Sequence, residues 1–130
     1  MDMQIMKNEA VFKNRYKAED AVCQAFVQLG LLAGIDVANG TGPADLDAES
    51  IQACYQSNFS DPHFLGGPCC FNYAQTLSQV DQIFVSAFDV SDRLLSYIAA
   101  GNDPAKTKAA EVAIAVIEAA KIWMQKVVAS

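Results

Sequence analysis

The chain has 130 residues, of which 52% are hydrophobic and 18% charged, with a formal net charge of -6. That length suits a single domain with one core, and the charged share lies below the roughly 25% of an average soluble domain. The negative field repels phosphate backbones and anionic lipid surfaces, which excludes nucleic acid and acidic membranes as expected partners. The charge is also unevenly placed. From Ala18 to Asp92 there is no lysine or arginine, while Glu19, Asp20, Asp36, Asp45, Asp47, Glu49, Asp61, Asp81, Asp89 and Asp92 all fall in that stretch together with every cysteine.

The first element expected is a helix over residues 9–34. Phe12, Tyr16, Cys23, Phe26, Leu29 and Leu32 recur at steps that place them on one face. Residues 21–35 are apolar and follow Lys7, Lys13, Arg15 and Lys17, a superficial likeness to a secretion signal. Glu19 and Asp20 directly precede the run, however, and Gln24 and Gln28 interrupt it. It also falls short of the about 20 predominantly apolar residues that a membrane span needs. The run therefore reads as a buried helix of a mature domain. Gly30 and Gly34 within it read as close packing or helix termination.

Asn39-Gly40-Thr41-Gly42-Pro43 concentrates turn formers and predicts a loop. A short helix over 46–58 follows, capped by Asp45 or Asp47, with Glu49 near its positive N-terminal end. Residues 59–70 hold two prolines and two glycines and predict an irregular segment. Next comes a helix over 71–100, with Leu77, Val80, Phe84, Ala87, Leu94 and Ile98 facing inward. Asp81, Asp89, Asp92 and Ser96 face outward, and Asp89 is placed to pair with Arg93 at i, i+4. Gly101, then Asn102 or Asp103 as N-cap, then Pro104 as first helical residue, mark a tight boundary before the last helix over 104–128. Two long helices joined so closely pack antiparallel. The last helix has a narrow polar stripe of Glu111, Glu118 and Gln125, so it is expected either at the centre of the bundle or in a self-association face.

The cysteines carry the strongest chemical expectation. Four of them can pair in three ways, and spacing alone does not choose among these. A bond between adjacent cysteines strains the peptide between them, so Cys69 and Cys70 are expected to bridge separately to Cys23 and Cys54. Such bridges imply an oxidising compartment; in a reducing one the same residues serve as small hydrophobes. The sequons Asn39-Gly40-Thr41 and Asn58-Phe59-Ser60 are compatible with a secreted protein and decide nothing alone. Zinc ligands usually show cysteines two to four residues apart, a spacing absent here, so no metal and no other cofactor is expected. His63, the single histidine, reads as a solvated loop residue.

The fold class expected is an all-α, single-domain up-and-down bundle of three long helices and one short one, residues 1–130 forming one unit. The function expected is non-catalytic: an acidic, secreted or periplasmic protein-binding domain of effector, inhibitor or immunity type. Its partner is a protein with a basic surface, met by Asp45, Asp47, Glu49, Phe59, Asp61 and Phe64, since aromatic anchors rimmed by charge make good contacts. The last helix supplies a possible homo-oligomer contact. The alternative is a carrier enclosing a small apolar ligand against Phe26, Phe84, Phe88, Trp123 and Met124.

Overall fold

The computed structural model describes residues 12–35, 42–43 and 74–129. Among these the protein is all-α, with three helices: α1 (Arg15–Leu32), α2 (Leu77–Ala100) and α3 (Pro104–Ala129). The expected short helix over 46–58 and the irregular segment over 59–70 lie outside the described residues.

Each helix begins and ends where side chains and backbone resolve its unpaired terminal groups. The start of α1 is set by Asn14, whose Oδ1 accepts from the Lys17 N–H at 2.8 Å, so residues 12–14 are not helical and the expected start near residue 9 is corrected. Its end is a Schellman turn. The Ile35 N–H donates to Gly30 O (2.8 Å) and the Gly34 N–H to Leu31 O (3.1 Å), while Gly34 adopts φ +81, a conformation open to glycine at little cost. Ile35 is then buried.

For α2 the start is Leu77 and not the expected Phe71, because Thr76 and Gln79 form a capping box. Thr76 Oγ1 accepts from the Gln79 N–H at 3.1 Å, and Gln79 Oε1 accepts from the Thr76 N–H at 3.1 Å. At the α2–α3 turn Gly101 is the C-cap in ordinary right-handed backbone, and the left-handed position falls on Asn102 (φ 59), a residue type that tolerates it. Asp103 caps α3, its Oδ1 accepting from the N–H groups of Ala105 (3.1 Å) and Lys106 (3.3 Å).

The core shows which faces meet. α2 contributes Val80, Phe84, Ala87, Val90, Leu94 and Ile98, and α3 contributes Ala110, Ile114, Ile117, Ala120 and Met124. α3 runs antiparallel to α2: Lys121, late in α3, reaches Asp81, early in α2, at 3.4 Å and lies 5.4 Å from the centre of the Phe88 ring. α3 also packs along α1, and its Trp123 meets Phe12 edge-on with ring centres 6.1 Å apart. Covered by α1 on one side and α2 on the other, α3 is the central helix among the described residues, in keeping with its wide apolar arc. α1 and α2 start at the same end, where Arg15 Nη1 donates to Ala74 O at 2.7 Å.

The expected inner face holds in part: Phe26 and Leu29 of α1, and Phe12 just before it, are buried as spacing predicts. The residues that α1 buries are Ala18, Glu19, Val22, Ala25, Phe26, Leu29 and Gly30. Tyr16, assigned to the interior from spacing, is 55% exposed, and Cys23 and Leu32 are only partly buried. Leu77 is likewise exposed, whereas Asp81, Asp89, Asp92 and Ser96 face solvent as expected. The Asp89–Arg93 pair forms at 3.5 Å on the surface, worth at most a few tenths of a kcal/mol, about 0.5.

Candidate functional site

A groove of about 600 Å³ lies between α1 and α3. Its α1 wall is Ala21, Gln24, Ala25 and Gln28; its α3 wall is Ala109, Val112, Ala113 and Val116; Phe12 closes one end. The cause lies in side-chain size. Ala21 and Ala25, one turn apart on α1, and Ala109 and Ala113, one turn apart on α3, line the groove with small side chains.

The groove wall is apolar apart from two amides. Gln24 Nε2 donates to Asp20 Oδ2 at 2.9 Å, an i, i+4 contact that fixes the amide and leaves its carbonyl oxygen as an acceptor at the groove edge. Gln28 and Val112 are exposed beside it. Such a surface offers apolar contact together with amide groups that match peptide or amide chemistry. A second hollow of about 430 Å³ sits at the α2–α3 turn among Asn102, Asp103, Thr107, Lys108 and Glu111, but there the Asp103 carboxylate is already used as the α3 cap.

The residues expected to enclose an apolar ligand are placed differently. Phe26, Phe84 and Met124 are fully buried, and Phe88 and Trp123 pack against the same cluster. Phe84 and Phe88 stack tilted with ring centres 6.0 Å apart. These side chains belong to the interior cluster, and none of them lines the groove.

Cys23 is a free thiol, so the expected bridge from it is not formed. The side chain lies on the flank of α1 against the core cluster, where it acts as a small hydrophobe. Burial first, then the neighbouring Glu19 and Asp20 carboxylates, push its pKa from 9.0 to about 11. That environment suppresses the thiolate needed for exchange or metal binding. Cys54, Cys69 and Cys70 lie outside the described residues, as do His63 and the expected partner-binding residues Asp45, Asp47, Glu49, Phe59, Asp61 and Phe64. Among the described residues no three His, Cys, Asp or Glu side chains cluster closely enough to hold a metal ion, and no helix is long and apolar enough to cross a membrane.

Sequence reasoning missed the groove because it is made of what alanine lacks. The signal that was present is the i, i+4 alternation of alanines in two helices, Ala21 and Ala25 in one, Ala109 and Ala113 in the other. The chain matches no protein-family model, and comparison with curated proteins and with solved structures finds no significant match.

Proposed function

We propose that the chain is a non-catalytic, acidic helical domain that binds a protein partner through the α1–α3 groove. The observation that carries this reading is the groove itself: an open apolar channel with glutamine amides on one rim, running between two helices, which is the shape that receives an apolar helix face or a row of anchor side chains from another protein. A net charge of -6 favours encounter with a basic partner surface, and Asp45, Asp47, Glu49 and Asp61 remain the acidic residues proposed to meet it, with Phe59 and Phe64 as anchors. Secretion or a periplasmic location, as for an effector, inhibitor or immunity-type protein, is part of the same proposal. It draws less support from the cysteines once Cys23 is free.

Photocrosslinking tests the reading directly. A benzophenone amino acid placed at Gln28 or Val112 in cells of the natural source should give one dominant protein adduct, while the same probe at Ser96, on the outer side of α2, should not. Equal labelling from both faces would contradict the groove as the contact surface. Reversing Asp45, Asp47 and Glu49 to lysine should abolish capture at low salt. If native mass spectrometry instead shows a small apolar adduct on the purified protein, the carrier reading replaces this one.

A further inference from the structure

We infer that the α1–α3 groove has an occupant within the chain itself: the N-terminal segment, residues 1–11, folds back into it as a strap. Phe12 shows where that segment arrives. It precedes the Asn14 cap of α1, yet it is only 6% exposed, lines the groove with Ala21, Gln24 and Val116, and meets Trp123 edge-on. Ala21 is six residues past Arg15, the first residue of α1, about 9 Å along the helix. A chain leaving the helix end in line with its axis would carry Phe12 away from that level, so the chain turns back at Asn14 and brings residue 11 to the end of the groove. The α1 wall from Ala21 to Gln28 is about 10 Å long. About four extended residues cover that length, and the segment has eleven.

The side chains of the segment fit the site. It holds Met1, Met3 and Met6, three of the chain's four methionines, together with Ile5 and Val11. Methionine is unbranched and adapts to irregular gaps, and the groove is a gap lined by alanines. Met1, Met3 and Ile5 alternate with Asp2 and Gln4, so an extended strap turns the apolar side chains to one face and the polar ones to water. Gln24 and Gln28 offer amide groups to its backbone. Tethered at Phe12, the segment meets the groove at a high effective concentration, which favours it over a free molecule. Val112 at 40% exposure and the exposed Gln28 mark the open state of the groove, so strapped and open forms exchange. With the two populated about equally, a partner finds the groove free in about half of the molecules and binds about twofold more weakly. That regulation rests on the groove being the partner's site; the strap itself does not.

Methyl NMR on the full chain, labelled at alanine, isoleucine, methionine and valine, tests the strap. Nuclear Overhauser contacts are expected from the Met3, Ile5 or Met6 methyls to those of Ala109, Val112 or Ala113. Met3→Lys with Met6→Lys should remove them and shift the Ala109 and Val112 resonances. Helicity by circular dichroism should hold, since both residues lie outside α1, α2 and α3. The same pair should raise the adduct yield of the Val112 photocrosslinker about twofold. If the pair lowers helicity, Ala21→Leu, which fills the groove from its own wall, should release the same methyls. No contact between residues 1–11 and the groove would overturn the inference. So would contacts from the rings of Phe59 or Phe64 in their place, or contacts found only between differently labelled molecules in a mixed sample, which give the groove to a second copy. Methyl contacts with no photocrosslinked adduct would uphold the strap and refute the partner reading; lost contacts with an unchanged adduct yield would refute the regulation.

Discussion

The two seams that α3 makes are built from the same helix and come out differently. Toward α2 it presents Ala110, Ile114, Ile117 and Lys121, the last reaching Asp81 and Phe88, and α2 answers with Val80, Phe84, Leu94 and Ile98. That seam is filled. Toward α1 it presents Ala109, Val112, Ala113 and Val116, and α1 answers with Ala21, Ala25 and two glutamines. That seam has an open groove along its outer edge beside Phe12 and Trp123, while Val22, Phe26 and Leu29 of α1 lie buried in the core. A rotation of one residue along α3, from Ala109 to Ala110, moves from a groove wall to an interior wholly shut off from solvent. Helix contact alone therefore does not decide whether a seam stabilises or binds; the volume of the side chains between the axes does.

The largest expected effect breaks the filled seam. Phe84→Ala should cost about 3–5 kcal/mol in urea unfolding, since its fully enclosed ring leaves a cavity that rigid neighbours only partly collapse into. The same measurement should give about 1 kcal/mol for Thr76→Ala, which removes the cap that starts α2 on the filled side.

A more modest effect concerns the flank of α1. The unfolded Cys23 thiol ionises near 9.0 and the folded one near 11, so the native state holds that proton more tightly. Its contribution is fully present below pH 9 and is lost as pH rises through 11. The unfolding free energy of the wild type should thus fall more steeply between those values than that of Cys23→Ala, and superimposable profiles would refute the assigned environment. The smallest effect is expected for Asp81→Asn, which loses a half-exposed ion pair to Lys121 and should shift stability by less than about 1 kcal/mol.

What can be read from the sequence follows the same division. The α2–α3 hairpin is legible because its punctuation is dense: Gly101, Asn102, Asp103 and Pro104 in succession, then large apolar residues at helical spacing on both arms. Gly101 is the C-cap of α2, and the left-handed position falls on Asn102. α1 is legible as a helix and in part as an orientation, since Phe12, Phe26 and Leu29 are buried as spacing predicts and Tyr16 is not. A rule that sends the larger side chains inward chooses Tyr16 over Ala18, whereas the buried face mixes Ala18 and Ala25 with Val22, Phe26 and Leu29. The caps Asn14 and Thr76 are single polar residues beside longer hydrophobic runs, so periodicity overruns both starts. The groove escapes because hydrophobic patterns count apolar positions and not their volumes. For the proposed acidic contact residues and three of the cysteines, which lie outside the described residues, the sequence reading stands as a proposal.

The contrast between the seams is tested most directly by adding the same side chain to adjacent residues of α3. Leucine costs little helix propensity relative to alanine, so Ala109→Leu and Ala110→Leu differ only in the seam they enter. In denaturant unfolding Ala109→Leu should change stability by less than about 0.5 kcal/mol, because the added carbons enter the open groove. Ala110→Leu should lose about 1–3 kcal/mol through overpacking. Equal losses at the two positions would contradict an open α1–α3 seam, and with it the proposed binding surface.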